Sequence, residues 1–235
     1  MPVADLTLLK RAARRAGELA LTYWGGSFQH WDKPEDAGPV TEADLAVNDL
    51  LQDMLMGARP TYGWLSEETH DDVTRLSKNR CFIVDPIDGT VNFTHGLPHA
   101  CVSIALQERK KTGRGKVGYE TVLGLVYDPF LDEMWTALKG KPGRLNGRLI
   151  RPSSHSQLKE TMLAIGFSKT TEALDEMLPA FNHLVYKVRK VRIMGAAALS
   201  LVWIADGRLD AFMEKGVRIW DIVGGGFILK QAGGD

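Results

Sequence analysis

Apolar residues Leu8, Leu9, Ala12, Ala16, Leu19 and Tyr23 recur at spacings of three and four, the repeat of one helix face. They predict a long amphipathic helix that Gly25-Gly26 ends. The polar stretch "DKPEDAGPV" reads as loop, and Thr41 then caps a second helix, "TEADLAVNDLLQDMLMGA", whose Leu45, Leu50, Leu51 and Leu55 keep helical spacing before Pro60. From Tyr62 the pattern changes. "YGWLS", "CFIVD", "CVSIAL", "TVLGLVY" and "EMWTAL" are short, rich in β-branched or aromatic residues and separated by turn residues, so they predict the strands of a sheet.

Beyond Arg151 the strand-like "TMLAIGF", "KVRIM" and "LDAFME" alternate with the helix-like "TEALDEMLPAFNHLVY", "AAALSLVWIADG" and "DIVGGGFILKQAG". Such alternation predicts an α/β, layered architecture with helices packed on sheets. The Gly, Pro and Arg content of "KGKPGRLNGRLIRPSS" places a boundary near residues 140 to 155, which divides the chain into an N-terminal α+β sub-domain (1–150) and a C-terminal α/β sub-domain (151–235).

Composition narrows the partners. With 29 basic and 29 acidic residues the formal charge is zero, so no whole-molecule field draws in nucleic acid or anionic lipid, and a charged ligand must be recognised locally. Cys81 and Cys101 lie in apolar segments and read as small buried hydrophobes, a usage that suits a reducing cytoplasm. Lys10, Arg11, Arg14, Arg15 and Glu18 interrupt the N-terminal segment, and no run approaches the roughly 20 apolar residues of a membrane span.

The chemistry concentrates where apolar strands end. Asp85 and Asp88 close "CFIVDPID", and Glu67-Glu68 close "YGWLSEE". Adjacent strands of one sheet can bring such ends within a few ångströms, where carboxylates repel one another unless a cation sits between them. Carboxylates with a backbone carbonyl make a hard-oxygen site for Mg²⁺, and two such cations suit phosphoryl transfer. Taken singly, an Asp after a strand also reads as a turn or helix cap. Gly89-Thr90 permits close backbone approach and a helix start, which offers N–H groups to a phosphate. No P-loop, G-x-S-x-G or nucleophilic Cys motif competes with this reading.

"DPIDGTVNFTHGLP", "LSEE", "GPVTEADLAVNDLL" and "IWDIVGGGFILKQAGG", in that pattern over nearly the whole chain, resemble the inositol monophosphatase family of Mg²⁺-dependent, lithium-sensitive phosphatases. The resemblance implies an αβαβα sandwich and a homodimer. It implies Glu67, Asp85 and the Ile87 carbonyl as ligands of one Mg²⁺, Asp85, Asp88 and Asp221 as ligands of a second, and a third, weaker ion near Glu67. It places Thr90 and Asp44 beside the attacking water, with Glu67 among the catalytic groups and Asp88, Gly89 and Thr90 at the phosphate. Asp44 also reads as a first-turn carboxylate favoured by the helix dipole, and Asp221 as the opening residue of its helix. The family's polyol contacts fall on Gly195, Ala197 and Glu214, of which Glu214 also reads as a strand-end charge.

The implied activity is hydrolysis of a small phosphomonoester, myo-inositol monophosphate first. "GWLSEET" resembles the serine-containing version in bacterial bisphosphate nucleotidases, so a 3′(2′),5′-bisphosphate nucleotide is the alternative, with fructose 1,6-bisphosphate and histidinol phosphate also open. A catalytically silent binding protein on this fold is the alternative outside enzymes. Two features depart from the family. Arg109, Lys110, Lys111, Arg114 and Lys116 crowd one connection, read as a solvated hairpin loop or a partner patch, and the family's further strand and final element would follow "QAGGD". His95 and His99 read as ordinary loop residues.

Overall fold

The computed structural model of the chain describes residues 2–26, 29–32, 39–111, 117–167 and 171–235. Helix α1 (Pro2–Tyr23) buries Leu8, Leu9, Ala12 and Ala16, the face that the spacing predicts. Helix α2 (Glu42–Ala58) starts at Thr41 through reciprocal hydrogen bonds. The Thr41 hydroxyl accepts from the Asp44 N–H at 3.2 Å and the Asp44 carboxylate accepts from the Thr41 N–H at 2.8 Å. Its Leu51 and Leu55 are fully buried, and each such side chain contributes about 2 kcal/mol.

A short strand pair, β1 (His30–Asp32) with β2 (Pro39–Thr41), flanks "DKPEDAGPV", a stretch expected to be loop throughout, and residues 33–38 of it lie outside the described residues. A seven-stranded sheet follows, in the order β3 (Gly63–Ser66), β4 (Arg80–Asp88), β5 (Cys101–Lys111), β6 (Val117–Asp128), β7 (Glu133–Leu138), β8 (Arg144–Leu145) and β9 (Arg148–Leu149). Only β3 and β4 pair in parallel. Lys111 ends β5 and Val117 begins β6, and residues 112–116 of the expected basic hairpin loop, Arg114 and Lys116 included, lie outside the described residues.

Alternation sorts the sheet's two faces. Phe82, Val84, Val102, Ile104 and Leu106 meet α1 and α2, while Cys81, Ile83 and Ala105 turn to the other side, against Trp220 and Val223. The latter two ride on α6 (Ile219–Ala232), which packs beside α5 (Ala197–Ala205). Gly224 lets α6 lie close on the sheet, because a Cβ there would stand 2.8 Å from the Ser103 hydroxyl of β5. A second, all-parallel sheet of β11 (Lys190–Arg192), β10 (Met162–Ile165) and β12 (Ala211–Met213) lies beyond α5. Ala164 faces α5, whereas Leu163 and Ile165 face Met177 of α4 (Thr171–Leu184). Helix, sheet, helix, sheet and helix therefore succeed one another, the αβαβα sandwich that the resemblance implies.

Both cysteines are buried and free. No helix among the described residues is long and apolar enough to cross a membrane. Asp5, with 0% exposure, receives Arg59 at 2.7 Å and Arg80 at 3.1 Å, which ties α1 to the end of α2 and to β4. The segment around residues 140 to 150 continues the large sheet: β8 and β9 form a hairpin across Asn146 (φ 47°) and Gly147 (φ 85°), the two left-handed positions of a type I′ turn.

Candidate active site

Strand β4 carries the first carboxylates. Asp85 pairs with Ser103 and Asp88 with Cys101 across β5, but the register shifts between them, so Pro86 sits where the ladder is already broken. Glu67 directly follows β3, and its N–H donates to the Val84 carbonyl at 3.2 Å, which sets it beside the end of β4. Asp221 comes from the first turn of α6, where its carboxylate accepts from the Arg218 N–H at 2.6 Å. That helix begins at Ile219, two residues before the expected opening at Asp221. Carboxylate oxygens of Glu67, Asp85 and Asp221 all lie within 4.8 Å of one another.

Asp88 lines the same cleft but is not one of that trio. Its two oxygens accept from the Ala197 N–H at 3.3 Å and the Ala198 N–H at 2.6 Å, at the start of α5. Burial, then Asp221, hold the Asp88 carboxyl well above the ordinary range, and the α5 amides only partly offset them. Asp85 is likewise pushed well up, by burial first and then by the charges of Glu67, Asp88 and Asp221. A cluster of carboxylate oxygens this crowded, with Asp85 buried among them, fits a hard divalent cation such as Mg²⁺.

Thr90 and Asp44, which the resemblance sets beside one water, are in hydrogen-bond contact. The Thr90 hydroxyl lies 3.1 Å from Asp44 Oδ1 and 3.0 Å from the Ile87 carbonyl, so its one hydrogen can go to either. The other Asp44 oxygen accepts from the Thr41 N–H at 2.8 Å and the Thr41 hydroxyl at 2.5 Å, which also makes Asp44 the first-turn capping carboxylate. Burial pushes its carboxyl up to about 6 in spite of these hydrogen bonds. Helix α3 (Thr90–Thr94) has five residues, and Gly89 opens it at φ 97°, a conformation that glycine adopts without strain. At that length the macrodipole adds little, so a phosphate would be held by individual first-turn N–H groups.

One cleft of about 470 Å³ is lined by Glu67, Asp85, Ile87, Asp88, Gly89, Thr90, Gly195, Ala197, Glu214 and Asp221. Asp44 stands behind Thr90, outside that lining. Glu68, His95 and His99 are also outside it. Burial, with Asp221 second, pushes the Glu214 carboxyl up to about 7. The sequence reading missed Gly166, Phe167, Ile193 and Met194, which line the same cleft. They and Glu214 follow directly on the C-terminal ends of β10, β11 and β12. Parallel strands present ligands at that end, and this rule applied to the three predicted strands finds the missed residues. Ser66, the residue behind the nucleotide alternative, is buried and donates to Asn48 at 2.7 Å, away from the cleft.

Residues 4–235 match the inositol monophosphatase family. Inositol monophosphatase 1 of Solanum lycopersicum is 37% identical over 228 residues, which span 95% of this chain and 80% of the relative. Nus factor SuhB of Pseudomonas aeruginosa is 35% identical over 238 residues, 97% of this chain and 83% of its own. The crystal structure of the extragenic suppressor protein suhB from Bartonella henselae matches with a TM-score of 0.87 at 33% identity, over 98% of this chain and 85% of that one. Fold, cleft and similarity over nearly the full length agree: the chain belongs to the inositol monophosphatase family of phosphatases.

Proposed function

We propose that the protein is a Mg²⁺-dependent phosphomonoesterase that hydrolyses myo-inositol monophosphate by in-line attack of water. The observation that carries this reading is a single cleft in which the Glu67, Asp85 and Asp221 carboxylates face Gly195, Ala197 and Glu214. Glu67, Asp85, Asp88, Asp221 and the Ile87 carbonyl would hold the cations. Bound there, two or three Mg²⁺ ions would neutralise the ester and acidify a water, and Li⁺ would inhibit by competing for the site.

The chain's own groups handle the water's proton. Thr90 Oγ1 gives its hydrogen to Asp44 Oδ1, which leaves its lone pairs to accept a hydrogen bond from the water and fix its direction of attack. Asp44 can take up that proton through Thr90 because burial has already brought its carboxyl to about 6. Thr41 holds the second Asp44 oxygen, so the first stays aimed at Thr90. The N–H groups of Gly89 and Thr90 face the phosphate.

Two features favour inositol over the alternatives. Glu214 offers oxygens to vicinal hydroxyls, and among the described residues that line the cleft there is no Lys or Arg to neutralise a second phosphate. The same reading includes two sub-domains meeting near residue 150, a homodimer and a cytoplasmic setting. Comparing kcat/KM for inositol 1-phosphate, 3′-phosphoadenosine 5′-phosphate and fructose 1,6-bisphosphate at one Mg²⁺ concentration tests the substrate. Preference for inositol 1-phosphate supports it, and preference for either bisphosphate overturns it.

A further inference from the structure

Asn92 is half-buried, and its side-chain amide ties its own helix to a nearby connection and to a segment 102 positions away. Nδ2 donates to the His99 carbonyl at 2.8 Å, in the connection leading to β5, and to the Met194 carbonyl at 2.8 Å, directly before the Gly195 turn. Both amide hydrogens are thereby committed to main-chain acceptors. Gly195 sits at φ 74°, and a Cβ there would come within 3.0 Å of Asn92 Nδ2, so this turn and this amide are fitted against each other. His99 is anchored in its turn by its ring, edge-on to Trp203 of α5 at 5.1 Å.

A second contact runs parallel to this one. Asp88, four residues before Asn92, accepts from the Ala197 and Ala198 N–H groups, three and four residues after Met194. One such contact lets two segments pivot, whereas two, spaced alike on both sides, fix their relative orientation. The two rungs differ in chemistry. Asp88 gives both oxygens to the α5 amides while the charge of Asp221 acts on it, whereas Asn92 carries no charge and its side chain binds only main chain.

We propose that Asn92 is a positioning residue that fixes Ile193, Met194 and Gly195, the wall that receives the leaving alcohol, relative to Asp88–Thr90, the end that handles phosphate. It sets how far apart the two ends of one substrate are held, without touching the reacting atoms. This rests on the phosphomonoesterase reading above. Removing Asn92 then penalises an ester in proportion to how much of its alcohol the wall must hold, and spares one whose alcohol is too small to reach it.

The test compares wild type, Asn92→Ala and, as a control remote from the cleft lining, Thr94→Ala. It uses inositol 1-phosphate and methyl phosphate as substrates, and hydrogen–deuterium exchange of the metal-free proteins as a readout free of turnover. In Asn92→Ala the ratio of kcat/KM for inositol 1-phosphate to that for methyl phosphate is expected to fall about tenfold, mainly through KM, the loss of two hydrogen bonds' worth of positioning. Amide exchange in residues 193–198 rises while that in 80–88 stays at the wild-type level, and Thr94→Ala changes neither. Equal losses on both esters, or unchanged exchange in 193–198, overturn the proposal. A wild type that ignores inositol 1-phosphate overturns the substrate reading instead, and the exchange comparison still decides the role of Asn92. If Asn92→Ala does not fold, Asn92→Ser, which keeps one donor, carries the same comparison with half the expected effect on a logarithmic scale.

Discussion

Thr90 and Asp44, 46 positions apart in sequence, are joined by a hydrogen bond of 3.1 Å from the threonine hydroxyl to the carboxylate. The bond connects the first residue of α3 to the first turn of α2, and it gives a buried carboxylate a route to the cleft.

Breaking that route separates activity from stability. Thr90→Val removes the hydroxyl and keeps the shape, and is expected to lower kcat about 10²-fold with KM little changed, since it removes proton transfer and water orientation. Asp44→Asn keeps an oxygen for Thr41 but no longer takes up a proton, with a similar loss of kcat. In the metal-free protein near neutral pH it also removes a buried charge whose upward shift to about 6 corresponds to about 3 kcal/mol, so its Tm should rise. Steady-state kinetics and thermal melts of the two variants check both halves. Full activity in Asp44→Asn contradicts the relay.

Stability should depend on pH and metal together. Asp85 and Asp88 are held well above the ordinary carboxylate range, Asp44 is pushed to about 6 and Glu214 to about 7. Each folded value lies above the unfolded one of 3.8 or 4.5, so between the two the unfolded chain binds fewer protons. The metal-free protein therefore loses stability as pH rises from about 4.5 through 7 and beyond. Asp71 and Asp210 shift the other way, with a contribution that changes only below 3.8, outside that window, and His99, lowered from 6.5 by burial, opposes the trend below 6.5 as one group against these four. Mg²⁺ should raise the Tm more at about pH 8 than at about pH 6, because it relieves a repulsion that protons relieve at the lower pH. A Mg²⁺ effect equal at both pH values contradicts this account.

The glycines of α6 test whether helix placement sets the metal site. Gly224→Val pushes a side chain toward the Ser103 hydroxyl, at 2.8 Å from where its Cβ would lie, and should cost about 1–3 kcal/mol while displacing Asp221. The Mg²⁺ concentration for half-maximal activity should rise several-fold. Gly226, with nothing within 4 Å of its Cβ position, is the control: Gly226→Ala should stabilise by up to about 1 kcal/mol and leave Mg²⁺ dependence unchanged. Melting curves and Mg²⁺ titrations decide between the two outcomes.

Much of this was legible in the sequence because each signal was local. Helix faces, the Thr41 cap and the strands that lead into Glu67 and carry Asp85 follow from spacing and residue type alone. The hairpin at Asn146-Gly147 had an equally local signal, but the surrounding Gly, Pro and Arg content read as a boundary. Other features depend on long-range contacts that no local pattern encodes. Asn92 reaches Met194 across 102 positions, and Ser66, the serine in the stretch that resembles the nucleotidases, turns into the core toward Asn48. Ile193 and Phe167 look like ordinary strand residues until the parallel sheet sets their ends in one cleft.

Phosphate release from inositol 1-phosphate by wild type and Asp85→Asn, with and without Mg²⁺, bears most directly on the central claim. Asp85→Asn removes one charge from the 4.8 Å cluster of Glu67, Asp85 and Asp221 without changing the side chain's size. The expected result is Mg²⁺-dependent turnover by wild type and a loss of at least about 10³-fold in the variant. Turnover that is independent of Mg²⁺, or equal in the two proteins, would contradict it.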